Sequence, residues 1–223
     1  MNLRPMLATL ADAPMRQKGL LYEPKYDGIR ALVELTPHAH GAAARLWSRN
    51  GNEKTAQFPS IVAALEVARV KTPLVLDGEI VALDEHGRPA GFQRLQGRIH
   101  VIGPRDVERL ERAQPTALIL FDFLRDGSED LCRLPLSERR ARLEHVFEAV
   151  FRIKPATANT ARPRRSVRAS RSAGRQRQDA IRLSDQVTDD GRAMYARAVK
   201  EHWEGLIVKD ARSTYQPGRR SPA

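Results

Sequence analysis

The eight residues Ala117–Leu124, Ala-Leu-Ile-Leu-Phe-Asp-Phe-Leu, decide the architecture. So apolar a run, bounded by polar residues, predicts a strand at the centre of a sheet. Upstream, Leu74–Leu83 divides into Leu-Val-Leu, Asp-Gly-Glu and Ile-Val-Ala-Leu, which predicts one buried strand with a polar interruption. Ile29–Leu35 and Arg45–Ser48 also have strand character, with Pro37 and Gly41 between them as turn signals. Phe58–Val70 places Ile61, Leu65 and Ala68 at helical spacing and predicts a short amphipathic helix. Downstream, Pro135 and a capping Ser137 open a helix expected to run to about Phe151. Order is expected to resume at Ala180–Leu183. A helix follows from about Asp189 to His202, with Asp189 and Asp190 at its positive end, and then a strand over Trp203–Asp210. Strands and helices in this order predict an α+β fold with antiparallel sheets flanked by helices.

Around these elements lie 223 residues, 41% hydrophobic and 29% charged, enough for one large domain or two small ones with a real core. No apolar run approaches the roughly 20 residues that span a bilayer, and residues 1–20 lack the long apolar block of a secretory signal. A single cysteine, Cys132, excludes a disulfide scaffold and a cysteine-built zinc site, and is expected to be a small buried apolar residue. The six histidines show no metal-like spacing. A soluble, cytoplasmic protein without a membrane partner is expected. The net charge of +11 is unevenly spread: residues 155–178 hold seven arginines and no acid, so the rest of the chain carries only +4. Such a segment, poor in aliphatics, is expected to be a disordered insertion. Its charge suits phosphate-bearing partners, or it is simply a solvated loop.

The segment richest in chemistry is Glu23-Pro24-Lys25-Tyr26-Asp27-Gly28-Ile29-Arg30. By itself it has two readings. It is either a hairpin with an exposed lysine and an Asp-Gly turn, or a partly desolvated lysine whose neutral amine is a nucleophile. In a continued strand Glu23 and Lys25 point to one face. Farther on stand Ser48-Arg49-Asn50-Gly51-Asn52, Asp77-Gly78-Glu79, Phe121-Asp122-Phe123-Leu124 and Glu204-Gly205-Leu206-Ile207-Val208-Lys209. Asp27 and Asp77 read as turn formers, and alternation puts Phe121 and Phe123 on one face with Asp122 on the other.

In this order the five segments resemble motifs I, Ia, III, IIIa and IV of the covalent nucleotidyltransferases. The Arg4-Pro5-Met6-Leu7-Ala8 start and the Trp-Ser-Arg-Asn-Gly-Asn form are similar to bacterial and archaeal ATP-dependent DNA ligases. The likeness covers the chain outside the arginine-rich segment. It implies a nucleotidyltransferase (ATP-grasp-like ligase adenylation) fold, with the nucleotide pocket between two antiparallel sheets. It also implies that Lys25 attacks the α-phosphorus of ATP to form lysyl-AMP, for transfer to the 5′-phosphate of nicked double-stranded DNA in repair, recombination or replication.

By the same resemblance Glu23 meets the adenine edge, Phe121, or Phe123 in its place, stacks on the base, and Arg30 and Arg49 contact ribose and phosphate. Glu79 meets the ribose or the metal, Glu204 the divalent ion (Mg2+ or Mn2+), and Lys209 the phosphates. The resemblance further implies a monomer working with other repair domains or proteins, associated with the nucleoid. Relatives continue past Tyr215–Ser221 to a motif V lysine pair and an OB-fold, so the chain is expected to be an adenylation domain, residues 1–223, without those parts. RNA ligase, capping-type nucleotidyltransferase and inactive nucleic-acid-binding module are the rival readings.

Overall fold

The computed structural model describes residues 3–151 and 180–221; the arginine-rich segment 155–178 lies outside the described residues. The largest sheet is built on β7 (Thr116–Asp126), the strand expected at its centre. β7 lies antiparallel to β5 (Leu74–Leu83), β5 to β3 (Ile29–His38), and β3 to β4 (Gly41–Ser48). Short strands β6 (Pro89–Ala90) and β8 (Glu129–Asp130) pair with β5 and β7, and β9 (Ile181–Leu183) adds a parallel seam along β7. A second, three-stranded antiparallel sheet has β2 (Arg16–Pro24) between β10 (Val187–Asp190) and β11 (Leu206–Asp210). A parallel ribbon joins β1 (Leu7–Ala8) to β12 (Arg220–Ser221).

The large sheet separates two kinds of interior. On one face Val33, Leu76, Ile80, Leu118, Leu120 and Phe123 pack with Ile61 and Leu65 of α1 (Pro59–Glu66) and Leu143 of α3 (Leu136–Val146). Fully burying one such aliphatic side chain contributes about 1.5–3 kcal/mol, so this face is the main source of cohesion. The opposite face holds smaller apolar clusters, one around Leu32, Val75 and Leu124 and one around Val81, Ala117 and Ile119. Arg30, Asp77 and Glu79 stand on that face too, because β3 and β5 pair Arg30 with Glu79 and Leu32 with Asp77.

Several local expectations are corrected. β2 and α2 (Pro104–Ala113) were not foreseen; β2 begins in the polar run Arg-Gln-Lys, and α2 buries only Val107. Ser137 lies inside α3, which starts after Pro135, and does not cap it. Instead the amides of Leu136 and Ser137 donate to the carbonyls of Ser213 and Ala211, each at 2.9 Å. α4 (Arg192–Lys200) starts later than expected. Asp190 accepts the Arg192 amide at 3.1 Å, while Asp189, in the left-handed region at φ 65°, accepts the Gly19 amide at 2.7 Å. Cys132 is buried, as expected.

Candidate functional site

Lys25–Gly28 is not a hairpin turn. β2 ends at Pro24 in the small sheet and β3 begins at Ile29 in the large one, so these four residues carry the chain from one sheet to the other. The crossing is anchored where the Lys25 amide donates to the Gly205 carbonyl at 3.0 Å and Asp27 accepts the Phe92 amide at 2.9 Å. Gly28 is required here, because a Cβ would come within 2.2 Å of the Ile80 carbonyl oxygen. Alternation along β2 therefore stops one residue before Lys25, and Glu23 and Lys25 meet different partners. The Lys25 ammonium pairs with Glu204, both side chains being a little over two-fifths exposed. Glu23 is 2% exposed. Its carboxylate accepts Lys209 Nζ and Gln186 Nε2, each at 2.7 Å.

The large sheet supplies the facing wall. Arg30 donates to both oxygens of Asp77, at 2.6 and 2.7 Å, and its guanidinium lies 4.5 Å over the Phe121 ring. Lys209 reaches the same ring, with Nζ 5.0 Å from the centroid. Phe121 thus has two cations over its ring and takes no part in the apolar core. This corrects the expected alternation. β5 pairs Asp77 with Asp122 and Gly78 with Leu120, leaving Phe121 as the extra residue of a β-bulge. The bulge puts Phe121 and Asp122 on the site face and turns Phe123 into the main core.

Asp77 is likewise no turn former. It is fully buried in mid-strand and accepts the Tyr215 hydroxyl at 2.6 Å as well as Arg30. Asp122 forms a second buried pair, with Arg139 of α3, at 2.8 and 3.0 Å; burial pushes its carboxyl up despite the guanidinium. Glu79 differs from both. No hydrogen bond engages its carboxylate among the described residues. Burial, opposed by Arg30 and assisted by Asp77, Asp27 and Glu204, pushes it up to about 8.

The structure thus brings Glu23, Arg30, Glu79, Phe121 and Lys209 together where the two sheets meet, with Lys25 and Glu204 paired nearby. Arg49 is not drawn in: it is exposed in the turn after β4, where Ser48 accepts the Gly51 and Asn52 amides. Reading the sequence missed Gln186, Asp77, Arg139 and Tyr215. The signal available for Asp77 was its place in an otherwise apolar strand, where a buried acid needs a partner.

A lysine, acids and cations gathered around an aromatic ring where two sheets meet suit a nucleotidyltransferase. The ATP dependent DNA ligase domain family matches residues 5–223, and the chain belongs to that family. It is 34% identical to the DNA ligase of Natronomonas pharaonis and 30% identical to that of Thermococcus fumicolans. Those alignments cover 97% and 98% of this chain and 34% of each relative, so the chain spans about a third of the length of these curated relatives. Among solved structures it is similar to mycobacterial DNA ligase D complexed with ATP and MES. That likeness has 31% identity and a TM-score of 0.70, over 99% of this chain and 58% of the other. Among the described residues, no helix is long and apolar enough to cross a membrane.

Proposed function

We propose that this chain is the adenylation unit of an ATP-dependent DNA ligase, in which Lys25 takes AMP from ATP, with pyrophosphate leaving as the α–β phosphoanhydride bond breaks, for delivery to the 5′-phosphate of nicked DNA. The observation that carries the reading is the pairing of family membership over residues 5–223 with one cluster of side chains, Lys25, Glu23, Arg30, Glu79, Phe121, Glu204 and Lys209, where the two sheets meet. Phe121, polarised by Arg30 and Lys209, offers a face on which adenine stacks, and Glu23 offers an acceptor for its exocyclic amine. Arg30 and Lys209 are fixed cations on the phosphate side, aimed before the charge develops in the reaction. Arg49, on its exposed turn, is proposed to reach the nucleotide when ATP binds.

Attack by Lys25 requires a free amine lone pair, so its contact with Glu204 has to be released and a proton lost first. Glu204 and Glu79 are the acids proposed to hold a divalent cation. Glu79 suits that task because its half-buried carboxylate has no hydrogen-bond partner among the described residues. Among the described residues no group of three or more His, Cys, Asp or Glu side chains is set to hold a metal alone. The coordination of Mg2+ or Mn2+ would therefore be completed by water and nucleotide phosphates, as is usual for magnesium, and the ion would supply charge neutralisation on the triphosphate. AMP then passes to the 5′-phosphate of a nick, and the 3′-hydroxyl displaces it.

Mass spectrometry of the purified chain with and without Mg2+ and ATP tests the reading. The expected result is one added AMP, absent from Lys25→Ala with circular dichroism unchanged. An adduct persisting in that variant would refute the role of Lys25. Labelled GTP incorporated in preference to ATP would favour the capping-type alternative.

A further inference from the structure

The hydrogen bonds around Arg30 close on themselves through residues far apart in sequence. The Met6 amide donates to the Tyr215 hydroxyl at 2.9 Å, and that hydroxyl donates to Asp77 at 2.6 Å. Asp77 accepts Arg30 through both oxygens, and Arg30 Nη2 reaches back to the Met6 carbonyl at 3.4 Å. One ring of contacts therefore joins the start of the chain, two central strands and a segment beyond β11.

Both outer members are held by their own backbones. The Tyr215 amide donates to the Cys132 carbonyl at 2.8 Å, Gly218 to Arg4 at 3.1 Å and Leu7 to Arg219 at 2.9 Å. The β1–β12 ribbon continues this seam. Tyr215 is 5% exposed, with the Arg139 guanidinium 5.7 Å over its ring. Burial and the neighbouring Asp77 carboxylate hold its phenol well above the usual range, so the hydroxyl keeps the proton it donates. Arg30 is raised too, so it stays charged.

A guanidinium bound by one carboxylate is fixed only as firmly as that carboxylate. Asp77 Oδ2 already receives Arg30, and the Tyr215 hydroxyl sets the remaining direction. We infer that Tyr215 is a positioning residue for nucleotide binding: its hydroxyl, braced by the Met6 amide, orients Asp77 so that Arg30 stays over Phe121. The inference rests on the proposed nucleotide site for its consequence, but the relay itself is independent of ligand. It ties the phosphate-side cation to the docking of the two end segments, so loosening either end loosens the site.

The test uses the full chain and the variants Tyr215→Phe, Arg30→Ala and their double. Nitrogen-detected NMR of the Arg30 guanidinium, without ligand, reads restricted rotation about its Nε–Cζ bond. ATP titration by calorimetry reads affinity, and thermal melts show that each variant folds. The expected result is slow rotation in the parent and fast rotation in Tyr215→Phe. ATP affinity should fall about tenfold in that variant, with no further loss when the tyrosine change is added to Arg30→Ala. A merely structural tyrosine would weaken binding equally in both backgrounds, which overturns the inference. Unchanged Arg30 rotation in Tyr215→Phe overturns it as well. If rotation is released but ATP binds none of the proteins, the relay stands and the proposed nucleotide site fails.

Discussion

Replacing Glu79 by glutamine should abolish most of a pH dependence that the fold imposes. The Glu79 carboxyl is pushed from 4.5 up to about 8, chiefly by burial. Folding therefore favours its protonated form. That contribution is complete below about pH 4.5 and is lost as pH rises through about 8. A shift of this size corresponds to at most ~5 kcal/mol, at 1.36 kcal/mol per unit. Solvent reaches the half-buried side chain, so a loss of about 2 kcal/mol between pH 5 and 8.5 is the working figure. Urea unfolding at both pH values, on parent and Glu79→Gln, measures it. The parent should lose about 2 kcal/mol more than the variant over that window, since glutamine carries no proton to release. Parallel pH profiles for the two proteins would show that Glu79 is an ordinary exposed acid.

The same displacement gives a ligand signature. If a divalent cation with ATP binds the ionised carboxylate, binding near pH 7 has to expel the proton that Glu79 carries in the free protein. Calorimetry in two buffers of different ionisation enthalpy should then show proton release in the parent and little in Glu79→Gln. Equal heats in both buffers would remove Glu79 from the cation site while leaving its stability effect intact.

Two further outcomes follow from packing. Arg139→Ala leaves Asp122 buried without its guanidinium and the Leu134 carbonyl without the donor it accepts, so it should cost about 3–5 kcal/mol in urea unfolding; a loss under about 1 kcal/mol would mean that water replaces the guanidinium. Gly28→Ala drives a methyl to within 2.2 Å of the Ile80 carbonyl oxygen, so β3 has to shift away from β5 at a cost of about 1–3 kcal/mol, and an unchanged melting temperature would contradict that geometry.

What the sequence made legible is what periodicity and length control. β5 runs Leu74–Leu83 as read, and the apolar run at Ala117–Leu124 does lie inside the central strand. Those stretches are long and apolar, so burial alone specifies them. The site is another matter, because its geometry depends on a departure from periodicity. Strict alternation places Phe121 with Phe123, but pairing Asp77 with Asp122 and Gly78 with Leu120 leaves one residue over on β7. That surplus residue is Phe121. The gain is that Asp77 and Asp122 can lie side by side on one face, each satisfied by its own arginine, while Phe123 still fills the core. Two buried carboxylates on adjacent strands would repel each other without those guanidiniums, and both arginines come from elsewhere in the chain, Arg30 from β3 and Arg139 from α3. No local pattern around Phe121 encodes a bulge whose stability depends on partners 91 residues before it and 18 after it. The aromatic ring that faces Arg30 and Lys209 is thus set by long-range charge pairing, and disrupting either pair should move Phe121 before it disturbs the apolar core.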